Sequence, residues 1–132
     1  MSVSVVQPNI DAYVEKWELA ESAQINKVKR LLEEADSARV DLIVLPETFL
    51  PKAREEGRLR QSSVDAHLIN ALKAHGTTAI FGASTYDFQY EQNLYNRPYG
   101  DKFYTIYNTA LFMSDPEKPW DVYHKGKLVV GG

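Results

Sequence analysis

An uninterrupted apolar run, Leu42–Leu45, constrains this chain most, because a strand that is apolar on both faces must be covered on both. Pro46 ends the run. Apolar or small residues recur at three- and four-residue steps from about Val14 to Ala35 and again over Ser62–His75, which predicts two amphipathic helices. Thr78–Ser84 is a further predicted buried strand. This alternation of strands and helices favours a layered α/β fold.

The remaining segments complete the predicted order of strand, helix, strand, helix, strand, strand, strand. Ser2–Gln7, Phe103–Met113 and Trp120–His124 are predicted strands because apolar and aromatic residues dominate them. Two polar segments, residues 51–61 and Asp87–Lys102, are predicted to be loops. With 132 residues and no internal repeat, we expect one domain.

Composition excludes several classes of function. The net charge of −3 gives no drive toward nucleic acid, and we expect no nucleic-acid partner. There is no cysteine, so the chain has no disulfide, no thiolate metal ligand and no cysteine nucleophile of its own. His67, His75 and His124 lack metal-ligand spacing, so we expect neither a metal nor a cofactor.

We expect the chain to be soluble as written. No stretch approaches the about 20 apolar residues that a membrane-spanning helix needs. Met1–Ile10 lacks the basic segment of a signal peptide and leads straight into a strand, so the start resembles one chosen at a domain boundary.

Two charged residues stand directly beyond predicted strands. Glu47 follows Leu45 and Pro46, and Lys125 follows the strand that ends at His124. In α/β sheets ligands bind beyond the carboxyl ends of strands, where a carboxylate suits a general base and a lysine can stabilise an oxyanion. Each residue alone is more typical of a solvated surface. If both strands are parallel neighbours, however, the two side chains meet in one cleft although they are 78 positions apart.

Other polar residues favour structural roles. Ser84 and Thr85 have no base at a recognisable spacing, and His124 is more typical of a strand end than of an acid. The side chain of Asn108 is expected to bond to a nearby loop. Tyrosines concentrate over Tyr86–Tyr123, where simple packing is favoured over contact with a lipid interface.

Taken together, the ordered segments resemble a known superfamily. They are Gln7-Pro8-Asn9, Leu45-Pro46-Glu47-Thr48, Gly82-Ala83-Ser84, Tyr107-Asn108-Thr109-Ala110 and Tyr123-His124-Lys125-Gly126-Lys127-Leu128-Val129. No single segment is specific, but the ordered set resembles the carbon–nitrogen hydrolase (nitrilase) superfamily over essentially the whole chain. Within it, the pattern is most similar to the amino-terminal half of the periplasmic domain of bacterial apolipoprotein N-acyltransferases. The resemblance implies half of an α-β-β-α sandwich.

The resemblance also implies a mechanism. Glu47 would be the general base and Lys125 the oxyanion-stabilising cation, while the cysteine of the superfamily lies on a later elbow that this chain does not reach. Val130 stands where a proline normally follows the lysine motif, which departs from the pattern. The parent protein would transfer a fatty acyl group from phospholipid to the amino terminus of a lipoprotein, at the periplasmic face of the bacterial inner membrane. This chain alone would be inactive.

Two alternatives stay open from sequence. One is half of a soluble nitrilase or amidase acting on small amides or nitriles, and the other is a non-enzymatic interaction module. In each case a half-sandwich would expose apolar sheet surface, which predicts self-association of the fragment, and a membrane surface is a further possible partner.

Overall fold

The computed structural model describes residues 2–5, 21–35, 40–47 and 49–126. Its helices are α1, Glu21–Ala35, and α2, Ser63–Ala74, and a short 3₁₀ helix spans Glu56–Arg58. Its strands are β1 Val3–Val5, β2 Leu42–Val44, β3 Leu50–Glu55, β4 Thr78–Gln89, β5 Arg97–Tyr99, β6 Lys102–Met113 and β7 Asp121–His124. The Gln7-Pro8-Asn9 segment, the first turns of the predicted long helix, Thr48 and residues 127–132 lie outside the described residues.

The described strands form one seven-stranded sheet around the long central pair β4 and β6. The order is β1-β2-β4-β6-β5, with β3 also pairing with β4 and β7 also pairing with β6. β1 and β2 pair in parallel, and β2 and β3 are parallel to β4, whereas β6 is antiparallel to β4 and to both β5 and β7. The carboxyl ends of β2 and β7 therefore point the same way across the sheet.

The core lies on one face of this sheet. Successive strand residues alternate between faces. On β4, Ala79, Phe81 and Ala83 are buried, while Ile80 between them is exposed. The buried set forms one hydrophobic cluster with α1 and α2, and the two helices contact each other. Both helices therefore cover the same face, and the α/β fold predicted from sequence is confirmed as an arrangement consistent with half of a nitrilase-like sandwich.

The prediction that residues 51–61 are a loop was wrong. β3 occupies Leu50–Glu55 and pairs with the second half of β4, and the 3₁₀ helix follows it. The segment looked too polar for a strand because it carries Lys52, Arg54, Arg58 and Arg60, and the structure shows how the charge of Arg54 is accommodated. Its Nε donates to Asp65 Oδ1 of α2 at 2.9 Å, and both side chains are largely buried, so the charge is paired within the fold.

The prediction that Asp87–Lys102 is a loop was right for residues 90–96 and 100–101 and wrong for the rest. β4 continues to Gln89, and its register with β6 runs without interruption from the pair Ala79–Met113 to the pair Gln89–Phe103. β5 then adds three residues to the far end of β6. Ladder hydrogen bonds carry these strands beyond the core, where polar side chains face solvent and weaken the sequence signal for strand.

No helix in the described ranges is long and apolar enough to cross a membrane.

The face of the sheet opposite the helices exposes apolar side chains, and we predict that it drives self-association. Ile106 of β6 is 54% exposed there, and Tyr123 of β7 is 72% exposed. Sedimentation velocity at high protein concentration should show species larger than a monomer. Ile106→Lys should shift the distribution toward monomer because it places a charge on this face.

Leu94→Lys is the matched control, since Leu94 is 94% exposed in the turn between β4 and β5 and lies outside the sheet. This substitution should leave the sedimentation profile of the wild type unchanged. A clean wild-type monomer would contradict the prediction.

Candidate functional site

Glu47 reaches its position because the chain leaves β2 and forms β3 along the same edge of β4. β6 occupies one edge of β4, so β2 and β3 both pair along the other, Val44 beside Ile80 and Leu50 beside Ala83. The residues between β2 and β3 must therefore turn out of the ladder. The amide of Gly82 donates to the carbonyl of Pro46 at 3.1 Å, which holds this turn against β4.

Gly82 lets the turn lie directly on the sheet. A Cβ at Gly82 would stand 1.6 Å from the carbonyl oxygen of Glu47, a distance at which the two atoms cannot coexist. Because Phe81 and Ala83 face the helices, that missing Cβ points to the opposite face. The backbone of Glu47 thus lies on the face of β4 opposite α1 and α2, at the one residue of that strand without a side chain.

Lys125 approaches the same face from the other side of the sheet. It follows β7, and its backbone amide donates to the carbonyl of Asn108 on β6 at 2.8 Å. Its Nζ lies 3.1 Å from Glu47 Oε1, and Asn108 Nδ2 donates to the same carboxylate oxygen at 2.6 Å. The structure therefore gathers a carboxylate, an ammonium group and an amide at one point.

The predicted meeting of Glu47 and Lys125 is present, but it arises by a different route from the one expected. β2 and β7 are not neighbours, since β4 and β6 lie between them. The turn over Gly82 closes the gap instead. The catalytic roles of the two residues stay a prediction.

Asn108 is the member that sequence reasoning left out of the catalytic set. The expectation that its side chain bonds a nearby loop agrees with its hydrogen bond to Glu47, which lies in the turn between β2 and β3. One sequence feature could have indicated a role for Asn108 in the site: it lies in Tyr107-Asn108-Thr109-Ala110, a segment that carries the family resemblance.

These three polar groups line a cleft of about 320 Å³ with mostly apolar walls. The walls include Leu45, Ile80, Gly82, Ala110 and Tyr123. The side chains of Lys125 and Glu47 are 39% and 62% exposed, so solvent weakens their ion pair and a ligand can reach both. A carboxylate can accept a proton here, and the ammonium and amide groups can stabilise negative charge.

An apolar groove of about 290 Å³ lies on the same face further along β4 and β6. It is lined by Ala53, Tyr86, Phe88, Tyr99, Tyr104 and Ile106. Ile106 precedes Asn108 by two residues on β6, so the two side chains share a face and stand one row apart. The Nζ of Lys102 lies 3.8 Å from the centre of the Phe88 ring.

Several sequence candidates lie away from the cleft. Thr85 is fully buried on the helix side, where its Oγ1 donates to Glu56 Oε1 at 2.8 Å, so it is unsuited to act as a nucleophile. His124 also faces away from the cleft and bonds Glu56. Within the described residues no group of three or more histidine, aspartate or glutamate side chains could hold a metal ion.

Tyr107 contacts His124 and Asp87 on the helix side of the sheet. Its ring stacks on the ring of His124, with centroids 3.8 Å apart and planes 3° from parallel. Its hydroxyl donates to Asp87 Oδ1 at 3.2 Å. Burial and the negative charge of Asp87 raise the pKa of the Tyr107 phenol, so it stays protonated and keeps donating.

Comparison with known proteins identifies the family. The carbon-nitrogen hydrolase family profile matches residues 2–131, nearly the whole chain. The chain belongs to the carbon-nitrogen hydrolase family, the nitrilase superfamily that the sequence segments resemble. None of the curated proteins compared with it matches the chain.

Gly82→Ala tests whether the close approach of Glu47 to the sheet builds the site. The added methyl group must push the turn away from β4, which should lower the free energy of unfolding by about 1–3 kcal/mol. The NMR amide shifts of Glu47, Asn108 and Lys125 should all change. Gly57→Ala is the control, because a Cβ at Gly57 meets nothing within 4 Å. Unchanged site shifts in Gly82→Ala would contradict this account.

Proposed function

We propose that this chain carries the base and the oxyanion-stabilising cation of a cysteine-dependent acyl-transfer site. The observation that carries the proposal is the convergence of Glu47, Lys125 and Asn108 in one cleft of a chain that belongs to the carbon-nitrogen hydrolase family. The roles follow from the groups themselves, since only the carboxylate can accept a proton and the other two can stabilise negative charge.

The proposed reaction proceeds in two stages. Glu47 takes the proton of a thiol, the thiolate attacks an acyl carbonyl, and Lys125 stabilises the tetrahedral oxyanion until the leaving group departs with the proton that Glu47 gives back. The acceptor amine then attacks the thioester while Glu47 takes one of its protons, and Glu47 returns that proton to the departing thiolate, which restores the thiol. These 132 residues contain no cysteine, so we propose that the chain alone forms no acyl-enzyme and is inactive.

We further propose that the parent protein is an N-acyltransferase of the apolipoprotein type. Its acyl donor would be a phospholipid and its acceptor the amino terminus of a lipoprotein, at the periplasmic face of the bacterial inner membrane. The order of the sequence segments supports this reading. The aromatic groove that starts one row from Asn108 supports it as well, because an apolar groove beside a polar site suits a long acyl chain.

Installing a thiol in the cleft tests the proposed chemistry. Ala110 lines the cleft with Glu47 and Lys125, so Ala110→Cys places a nucleophile there. With p-nitrophenyl octanoate, mass spectrometry should show a thioester on this variant, whereas the wild type stays unmodified. Adding Glu47→Gln or Lys125→Met should slow acylation by about 100-fold, the low end of what a positioned proton-transfer group or an oxyanion donor contributes.

Ala74→Cys is the matched control, because Ala74 is an exposed residue on α2 and lies outside the cleft. Its acylation should be slower than that of Ala110→Cys and insensitive to Glu47→Gln. Equal rates for the two cysteines would refute the proposed roles. A preference of Ala110→Cys for octanoyl over acetyl esters would support the fatty acyl donor, and equal use of both would favour a small-amide substrate.

A further inference from the structure

We propose that His124 and Glu56 are positioning residues that hold Lys125 in the cleft from the opposite face of the sheet. The proposal rests on the proposed function, because it explains how the ammonium group is kept beside Glu47. Neither side chain lines the cleft, so neither would touch a reacting atom.

The strand that leads to Lys125 is short and needs anchoring. β7 has four residues, all of them exposed, and it pairs with β6 along one edge. Trp120 anchors its start, because this residue is buried and its ring packs edge-on against Phe81 with centroids 5.0 Å apart. The end of such a strand frays unless a second contact holds it.

His124 supplies that second contact at the last residue of β7. Its ring lies flat on Tyr107, and its Nε2 donates to Glu56 Oε1. The same carboxylate oxygen accepts from Thr85 Oγ1 at 2.8 Å, and Thr85 Oγ1 shares a further hydrogen bond of 2.6 Å with Thr109 Oγ1. Thr85 and Thr109 are buried on the central strands, so Glu56 is fixed to a rigid part of the sheet.

We call the contact between His124 and Glu56 the clamp. His124 is joined by one peptide bond to Lys125, but the clamp and the cleft lie on opposite faces of the sheet. Side chains alternate along a strand, so fixing His124 toward the helix side directs the next residue, Lys125, toward the cleft. The hydrogen bond from the Lys125 amide to Asn108 continues the ladder by one step and holds that direction.

The clamp also links the two segments that supply the ion pair. β3 begins at Leu50, just after the turn that carries Glu47, and it leads directly into the 3₁₀ helix that starts with Glu56. The bond between Glu56 and His124 therefore joins the glutamate segment to the lysine segment, on the side of the sheet away from the cleft.

A zero-length cross-link measures the distance that the clamp is proposed to maintain. A water-soluble carbodiimide joins a carboxylate and an amine only when they are in contact, so the wild type should yield a peptide with an amide between Glu47 and Lys125. In His124→Ala and Glu56→Ala, each of which removes one partner of the bond, the yield should fall about tenfold, the equilibrium effect of losing a hydrogen bond to a charged group. His124→Gln, whose amide can still donate to Glu56, should recover part of the yield.

His67→Ala is the matched control, because His67 is an exposed histidine on α2. It should cross-link as the wild type does. Hydrogen exchange separates positioning from unfolding: the Lys125 amide should exchange faster in His124→Ala, while the amide of Phe81 in the core keeps its wild-type rate.

An unchanged yield in His124→Ala and Glu56→Ala would overturn the clamp and leave the proposed function standing. A loss of yield matched by faster exchange at Phe81 would also overturn it, since the effect would then be global unfolding. A wild-type cross-link that depends on His124 and Glu56, together with no acylation of Ala110→Cys, would instead count against the proposed function alone.

Discussion

The close contact between the backbone of Glu47 and Gly82 is the constraint on which the rest of this site depends. β2 and β3 use the same edge of β4, so the chain between them has to leave the ladder, and it can lie flat on the sheet only where no Cβ projects. That contact moves the carboxylate off the edge and over the central strands. Without it, Glu47 would remain at the β2 edge, separated from Lys125 by two strands.

The two faces of the sheet have different roles. α1 and α2 cover one face and bury the apolar residues that stabilise the fold, and the cleft and the adjoining apolar groove lie on the other face. Asn108 connects Lys125 to Glu47, because its backbone carbonyl accepts from the amide of Lys125 and its side-chain amide donates to the carboxylate of Glu47. The ion pair of Glu47 and Lys125 is partly exposed, so it places opposite charges together in the cleft but adds little to the stability of the fold.

Apolar patterning in the sequence was enough to predict the elements that carry the core. α2 was predicted because apolar residues recur with a helical period, and β2, β4 and β6 because apolar and aromatic residues dominate them. The sequence patterns of the family also pointed to Glu47 and Lys125. β3 was missed because charged residues made its segment look polar, and the pairing of one of them, Arg54, with Asp65 of α2 arises only in the tertiary fold. The contact of Glu47 with Gly82 could not be predicted for the same reason, since it depends on two segments pairing with one strand edge.

Nuclear Overhauser effects from the side-chain amide protons of Asn108 would test the assembly of the site most directly. The Asn108 amide donates to Glu47 Oε1 at 2.6 Å, so its protons should show cross-peaks to the γ-methylene of Glu47, and the Glu47 methylenes should show cross-peaks to the ε-methylene of Lys125. Cross-peaks from Asn108 only to its own strand and to β4, with none to Glu47, would contradict the account.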